Sequence, residues 1–576
     1  MLGESSNSVS QSVTFVPLGG LGRIGMNCFA LQQGDEILVV DCGATFPEDD
    51  WGTDLLIPDF SWLLERATQI VGLWVTHGHE DHIGAIPHLF EQLGRSLSVF
   101  APAQAALAIA ARLQERSWDT ECLLVVETGK IYEVGSFLVE PIAVAHSIID
   151  ATALCIDTVA GPIVHTADFN LDATQPAGHV TDGKRLEELG DAGVALLLSD
   201  STNIDSSAAG VGEARVGAAL DRHIEGAPRR AIVGMFSSNA HRLLALGKAA
   251  KNHGRRVCLL GRSLRRHHEI LLSLGRPTIP SELLVSATQA AQLPPGELLI
   301  VAGGSQGEAG SALRRLARGD HPELRVEADD RVILSARVIP GNERAVWGMI
   351  NDFLRRGISV RTPRDDPELH TSGHASRAEL AQMLDWVRPS WFLPLHGTLH
   401  HLLRHAALAR ERGVAQTLIV EEGQSATLSD EEGLNVSARV PVRAVRVALG
   451  GELLDARTRR HRGEIAQAGA IFATVVLDEL GRLREAPVIS APGVAGVDGR
   501  QDSLATLQNA ARQAVAAAPR DPETQRARVL SALRKAARQM VGVRPSVIVH
   551  LQGPRSGRTS QADDNVIEST PSAKLG

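Results

Sequence analysis

Residues 76–84 read THGHEDHIG, and five of these nine side chains can bind a metal ion or move a proton: His77, His79, Glu80, Asp81 and His82. The stretch ends an apolar run, GLWVT (72–76), that reads as a β-strand. In extended backbone residues i and i+2 project the same way, so His77 and His79 can reach one ion. Asp81 and His82 follow as the chain turns into an apparent helix, HIGAIPHLFEQLG, which redirects them toward a second point. One short loop can therefore begin two metal sites. Imidazole together with carboxylate suits zinc, with manganese as the alternative. A histidine-rich surface loop would explain a single His. It explains less here, because more donors stand at strand ends downstream: His146 in AHSIID, Asp168 in HTADF and His396 in PLHG.

The elements that must position these groups alternate along the first four hundred residues. Strand patterns fall at 36–41, 72–76, 137–145, 162–166 and 194–200, then at 230–236, 255–260, 297–304, 331–336 and 391–397. Helical patterns at 102–115, 211–224, 240–253, 343–356 and 376–387 lie among them, an α/β signature. Asp41, the 77–82 cluster, His146, Asp168, Asp200 and His396 all sit just past strands, where α/β folds build sites. Beyond residue 440 the texture changes. An Arg-rich stretch, 441–465, reads as a linker. Strands at 470–478 and 544–552 flank an Ala/Arg helix near 523–541, which reads as a small α+β domain. The ends, 1–12 and 553–576, read as disordered.

Composition narrows the function classes. At roughly 150 residues per domain, 576 residues predict three or four units. No apolar run approaches the ~18 residues of a membrane span, and the polar start lacks a signal pattern, so a cytoplasmic protein without membrane contact is expected. The five cysteines are scattered and form no CxxC, which reads as reduced thiols. A net charge of −9 argues against a basic coat for duplex DNA, yet allows nucleic acid in one local channel. Aromatics at 3% argue against a long base-stacking platform.

The loop and its downstream partners resemble the metallo-β-lactamase superfamily. That resemblance implies a four-layered αββα fold with one or two metals. It implies that His77, His79 and His146 hold the first metal, that Asp81, His82 and His396 hold the second, and that Asp168 bridges them. Asp41, in VVDCG, matches the family's first Asp and would support the histidine loop from behind. Two cations about 3.5–4 Å apart suit an in-line displacement at phosphorus. LLLSDSTN (196–203), TSGHAS (371–376) and PLHG (394–397) resemble motifs of the β-CASP nucleases. These carry an extra α/β domain inserted in the lactamase fold. On that pattern the lactamase domain occupies 13–208 and 369–440, the insertion spans 209–368, and a C-terminal α+β domain spans 466–552.

FSSNAHR (236–242), GRSL (261–264), GSQGE (304–308), IPGNE (339–343) and RPSVIV are similar to the bacterial ribonuclease J family. Membership implies a two-metal ribonuclease acting 5′ to 3′ on 5′-monophosphorylated single-stranded RNA, with internal cutting as well, in RNA maturation and decay. It implies two zinc ions, a homodimer or homotetramer, and RNA-decay proteins as partners. It assigns catalysis to Asp81, His82, His374 and Asp200. It assigns the 5′-phosphate pocket to Ser237, Ser238, Asn239, His370, Thr371, Ser372, Gly373 and His374. A glycine-containing loop such as SGHAS lets backbone N–H groups approach a phosphate closely. Asp200 could instead be a turn or N-cap residue.

The chain departs from the family at three residues named here and along 100–112, APAQAALAIAARL, where a different substrate entrance is expected. TGDFK stands here as TADFN, with Ala167 and Asn170, and Thr398 replaces Glu after PLHG. Other candidates read as packing or solvated surface: His88, His165, His267, His268 and the Arg-rich helix near 526–538. The alternatives are a nuclease acting on DNA and an inactive metal-binding scaffold in RNA decay. A thioesterase-like hydrolase fits the covering domain poorly.

Overall fold

Eight strands form the first sheet, in the order Gly433–Arg439, Gln424–Ser429, Ser12–Gly19, Cys28–Gln33, Glu36–Val40, Ile70–Trp74, Val99–Pro102, Leu123–Val126. Seven form the second: Gln416–Thr417, Trp391–Leu395, Leu196–Asp200, Ile163–His165, Thr152–Asp157, Phe137–Ala143, Tyr132–Val134. The computed structural model describes residues 12–47, 52–177, 180–207, 210–276, 278–339 and 341–553. Apart from Ser12 and Gly553, the ends expected to be disordered lie outside the described residues.

The two-residue period of these strands divides their side chains between two cores. Phe15, Leu31, Val40 and Trp74 of the first sheet meet Val139, Leu154, Ile156, Leu198 and Leu393 of the second. The alternate residues Ala153, Cys155, Leu197 and Phe392 pack instead under helices Gly183–Ala192, Arg377–Val387 and Leu399–Glu411. Helix Ala103–Glu115 covers the edge strands of the first sheet. The result is the expected αββα layering. Each Val, Leu or Phe fully buried this way contributes roughly 1.5–3 kcal/mol.

Strand Trp391–Leu395 runs parallel to Leu196–Asp200, with Leu198 opposite Leu393 and Asp200 opposite Leu395. The chain therefore leaves this sheet after Asp200 and returns so that His396 stands one residue beyond Asp200's partner. Between these points lies an inserted α/β domain. Its five parallel strands are ordered Arg256–Leu260, Leu298–Ala302, Ala231–Met235, Arg331–Ser335, Ser359–Arg361. Continuous apolar runs suit strands buried on both faces. Helices Glu213–Glu225, Ala240–Asn252 and Arg262–Ser273 cover one face. Helices Ala312–Arg318 and Glu343–Arg355 cover the other.

The chain from Arg446 onward belongs, with the short segment Asp49–Asp54, to a second compact unit. Strands Val488–Ser490, Ala470–Val476 and Ser546–Gln552 pack under helices Gln501–Ala516 and Pro522–Val541 through Ile471, Val475, Leu507, Val529 and Leu533. The stretch 441–465, read as a linker, contains strand Val445–Ala448 and most of helix Ala456–Ala468. That helix has little apolar periodicity to reveal it. Its signal is the cap: the Asp455 carboxylate accepts from the Thr458 N–H at 2.7 Å. Helix Gln501–Ala516 was also not expected. His268 is buried, at 4% exposure, rather than on a solvated face. No helix among the described residues is long and apolar enough to cross a membrane.

Two buried histidines lie beneath the strand ends. His165 packs on Phe29, and burial pushes its pKa down to about 4. His405 packs on Phe392 beside the Ser201 hydroxyl, and burial pushes it down to about 3. Unfolded histidine titrates near 6.5, so below that pH the unfolded chain binds protons that the folded chain refuses. Stability falls as pH drops from about 6.5 toward these folded values. Denaturant midpoints measured from pH 7.5 to 5 will show this slope. His405→Gln, which keeps a polar partner for Ser201 but cannot ionise, will make it shallower.

Candidate metal centre

Six strand ends deliver the polar groups. Asp41 follows Glu36–Val40 with φ 57°, a left-handed conformation that Asp tolerates better than most residues. Its carboxylate accepts from the Thr76 N–H at 2.8 Å and the Thr76 hydroxyl at 2.9 Å, which fixes the start of the histidine loop. His77 and His79 extend from that loop, and Glu80–Ile83 then forms a single helical turn carrying Asp81 and His82. Gly43 lets the turn approach, since a Cβ there would lie 1.7 Å from the Asp81 carbonyl oxygen. His146, Asp168, Asp200 and His396 come from the ends of four strands of the second sheet. Positive φ recurs at Ala167 (50°) and His396 (47°), so local strain gathers at this point.

The side chains converge into overlapping donor groups. In the first, His79 Nδ1 lies 3.1 Å from both His77 Nε2 and His146 Nε2. Asp168 Oδ2 lies 3.7 Å from His77 Nε2 and 3.9 Å from His146 Nε2. In the second, His82 Nε2 lies 3.2 Å from Asp168 Oδ2 and 3.7 Å from Asp81 Oδ2. His396 lies 2.8 Å from Asp168 Oδ1 and 3.4 Å from Asp81 Oδ2. A third grouping joins Asp200 and His374 to Asp168 and His396. Donors bound at 2.0–2.2 Å to one tetrahedral ion stand about 3.3–3.6 Å apart. The observed spacing fits a divalent metal, and Asp168 belongs to every group.

The ring nitrogens facing away from the donor groups are also occupied, as metal-ligating histidines require. His77 Nδ1 lies 3.0 Å from the Thr76 hydroxyl, which donates onward to Asp41. His82 Nδ1 donates to Asp41 Oδ2 at 2.7 Å. His146 Nδ1 donates to the Gly373 carbonyl at 2.8 Å. His79 Nε2 lies 3.0 Å from the Ser238 hydroxyl. The Asp41 carboxylate, the Gly373 carbonyl and the Thr76 hydroxyl committed to Asp41 each select the tautomer that leaves a lone pair toward the cluster.

Burial holds His77 and His79 well below the ordinary imidazole pKa and brings His146 down to about 4. Burial also acts on His82 and His396, but the Asp168 carboxylate beside them wins, raising His82 and taking His396 to about 10. Asp168 is held below the ordinary carboxylate range by His396, His82 and His374, against its burial. Among the described residues, the ion-pair partners of Asp41, Asp81, Asp168 and Asp200 are histidines alone. So much buried negative charge calls for cations, and protons and metal ions compete for the same lone pairs.

His374 Nδ1 donates to Asp200 Oδ2 at 2.8 Å, so Asp200 orients His374 as well as capping its own turn at Thr202. His370, Ser237 and Ser372 are half-buried nearby in sequence terms, on the same two loops. Other expected pocket residues are engaged elsewhere. Asn239 is 1% exposed; it caps helix Ala240–Asn252 and donates to Glu213. The Ser238 hydroxyl meets His79, and the Thr371 carbonyl accepts from Arg242. Two of the three departures have local explanations. Asn170 donates to the Gly373 carbonyl that also receives His146, and Thr398 caps helix Leu399–Glu411 with His401. Sequence reasoning missed Asn27, whose amide lies 3.0 Å from His82 Nε2 and 3.2 Å from His396 Nε2. A lone Asn in a loop carries no signal of that kind.

Comparison with known proteins gives four family matches along the chain. Residues 21–96 match the metallo-β-lactamase superfamily and residues 228–353 the ribonuclease J β-CASP domain. Residues 368–420 match the Zn-dependent metallo-hydrolase RNA specificity domain, and 459–552 the ribonuclease J C-terminal domain. The chain is 34% identical to a ribonuclease J of Helicobacter pylori over 86% of its own length and 73% of that protein's. It is 35% identical to one of Corynebacterium glutamicum, over 85% and 69%. It is 32% identical to one of Sinorhizobium meliloti, over 94% and 97%. A crystal structure from Enterococcus faecalis, of a protein of unknown function, aligns with TM-score 0.50 and 16% identity over 73% of this chain and all of that one, a likeness of fold alone.

Two substitutions probe this centre. Asp41→Asn keeps the left-handed backbone but removes the charge behind His82, and is expected to weaken divalent-metal binding about 10–100-fold in a calorimetric titration. Ala167→Gly relieves a left-handed alanine and is expected to raise unfolding stability by up to about 1 kcal/mol, read from denaturant curves.

Proposed function

Because the chain belongs to the ribonuclease J family, we propose that it degrades and matures single-stranded RNA from a 5′-monophosphate end, 5′ to 3′, and also cuts internally. It is a metal-dependent nuclease whose substrate class is RNA. The observation that carries the finer reading is the pair of donor groups meeting at Asp168, with the His374–Asp200 pair adjoining them.

In this reading His77, His79, His146 and Asp168 hold one divalent ion, and Asp81, His82, His396 and Asp168 hold a second. Zinc is the proposed metal, with manganese as the alternative. Such ions supply a nucleophile from water at neutral pH and neutralise charge at the scissile phosphate. The chain's own groups do the rest. Asp41 holds the tautomer of His82. Asp200 accepts the Nδ1 proton of His374, leaving Nε2 to hold a proton near the substrate. As the attacking oxygen bonds to phosphorus and the P–O3′ bond breaks, that proton passes to the departing 3′ oxygen. The scissile phosphate stays on the downstream RNA as its new 5′-monophosphate end, and the upstream nucleotide or fragment leaves with a 3′-hydroxyl.

Ser237, His370, Ser372 and the backbone of 371–374 are the proposed 5′-phosphate pocket. Ser238 and Asn239, engaged with His79 and Glu213, support it from behind. A homodimer or homotetramer working in the cytoplasm with other RNA-decay proteins completes the proposal.

The test uses one RNA sequence with a 5′-monophosphate, 5′-triphosphate or 5′-hydroxyl, beside the matched DNA. Mononucleotides released from the monophosphorylated RNA, lost in Asp81→Ala/His82→Ala and absent with DNA, are expected. Internal cuts indifferent to the 5′ end would remove the pocket, and equal cleavage of DNA would favour the DNA reading. His374→Gln is expected to lower kcat about 10²–10⁴-fold, the range of a lost general acid, with metal binding retained.

A further inference from the structure

The inserted domain touches the first donor group through one turn of chain. Ser238 meets His79 Nε2 at 3.0 Å. Three residues later, His241 Nε2 lies 3.0 Å from the His146 carbonyl oxygen. A carbonyl can only accept, so Nε2 carries the proton and Nδ1 is a bare acceptor. His241 is 1% exposed, and Nδ1 has no hydrogen-bond partner among the described residues. A buried, half-satisfied imidazole is a poor choice for packing alone, since a leucine would fill that helix position without leaving a polar atom unpaired.

The neighbouring residue anchors the same turn. Arg242, also 1% exposed, donates to the Thr371 carbonyl at 3.0 Å and to Glu213 at 3.2 Å, and to the Ser335 carbonyl. The turn is therefore fixed both to its own domain and to the loop whose Gly373 carbonyl receives His146 Nδ1. His146 is held at its ring by that loop and at its backbone by His241.

We propose that His241 is a positioning residue through which the inserted domain sets the place of His146 in the first metal-ligand group. It touches neither the RNA nor the metal; it fixes the backbone from which a ligand projects. The inserted domain then completes the metal site as well as covering it. This inference rests on the metal-dependent reading above.

The test uses the full-length protein stripped of metal, titrated calorimetrically with Mn²⁺, and then assayed for kcat and KM on 5′-monophosphorylated RNA. His241→Leu keeps the volume without the donor, and His241→Asn keeps polarity but falls short of the carbonyl. Both are expected to weaken one of the Mn²⁺ sites about 10–100-fold and to lower kcat by a similar factor. KM should stay within about threefold, since a positioning role leaves uniform substrate binding intact. His241→Gln, whose amide can reach the same carbonyl, should recover most of both. Unchanged Mn²⁺ binding in Leu and Asn would overturn the proposal, as would a raised KM at unchanged kcat. Failure of both to fold while Gln folds would assign His241 to the fold and equally overturn it. A wild-type chain that binds no Mn²⁺ or Zn²⁺ would instead sink the metal reading itself.

Discussion

Four carboxylates, Asp41, Asp81, Asp168 and Asp200, are gathered at the ends of two facing sheets, and three of them are almost fully buried. An ionised carboxylate in a protein interior is costly unless paired and hydrogen-bonded. Here the pairing groups are imidazoles, which can share their lone pairs with a divalent ion. Much else in the fold serves that concentration of charge. Asp41 and His396, and Ala167 just before Asp168, adopt left-handed backbone around it, and Gly43 makes room for the turn that carries Asp81. Strain of this kind persists only where surrounding contacts over-determine it, and the αββα core supplies them.

The parallel pairing of Leu196–Asp200 with Trp391–Leu395 has a second consequence. It closes the lactamase sheet across an insertion of more than 150 residues without separating Asp200 from His396. Loop-closure entropy grows slowly with length, so a long insertion that folds on its own core is tolerated at such a point. The insertion in return sends Ser238 to His79 and His241 to the backbone of His146, while Arg242 ties the same turn to the Thr371 carbonyl.

Ser238 and Asn239 make contacts that their position along the chain does not reveal. Both lie in a motif beside the expected phosphate pocket, and both carry groups suited to binding phosphate. The hydroxyl of Ser238 is taken by His79, and the amide of Asn239 by a helix cap and Glu213. Motif resemblance locates the loop near the centre; only the packing of the helix behind it decides which side chains face inward. In the same way the Arg-rich stretch 441–465 reads as a linker because the helix Ala456–Ala468 that it enters buries almost no apolar stripe. Its capping aspartate was the one local sign of order.

The sequence by itself determined the alternating α/β elements, the donors of the histidine loop and the strand ends that bring His146, Asp168, Asp200 and His396 into play. Those are properties of period, residue type and spacing, which act locally. It also carried the family likeness, since the motifs are contiguous. Only the tertiary structure decided that Asp168 is common to every donor group, that Asn27 faces His82 and His396, and that His241 of the inserted domain holds the backbone of His146. These contacts join residues about 55 to 370 positions apart. Their partners are chosen by the register of strands and the docking of one domain on another, and neither is written in any single stretch of chain.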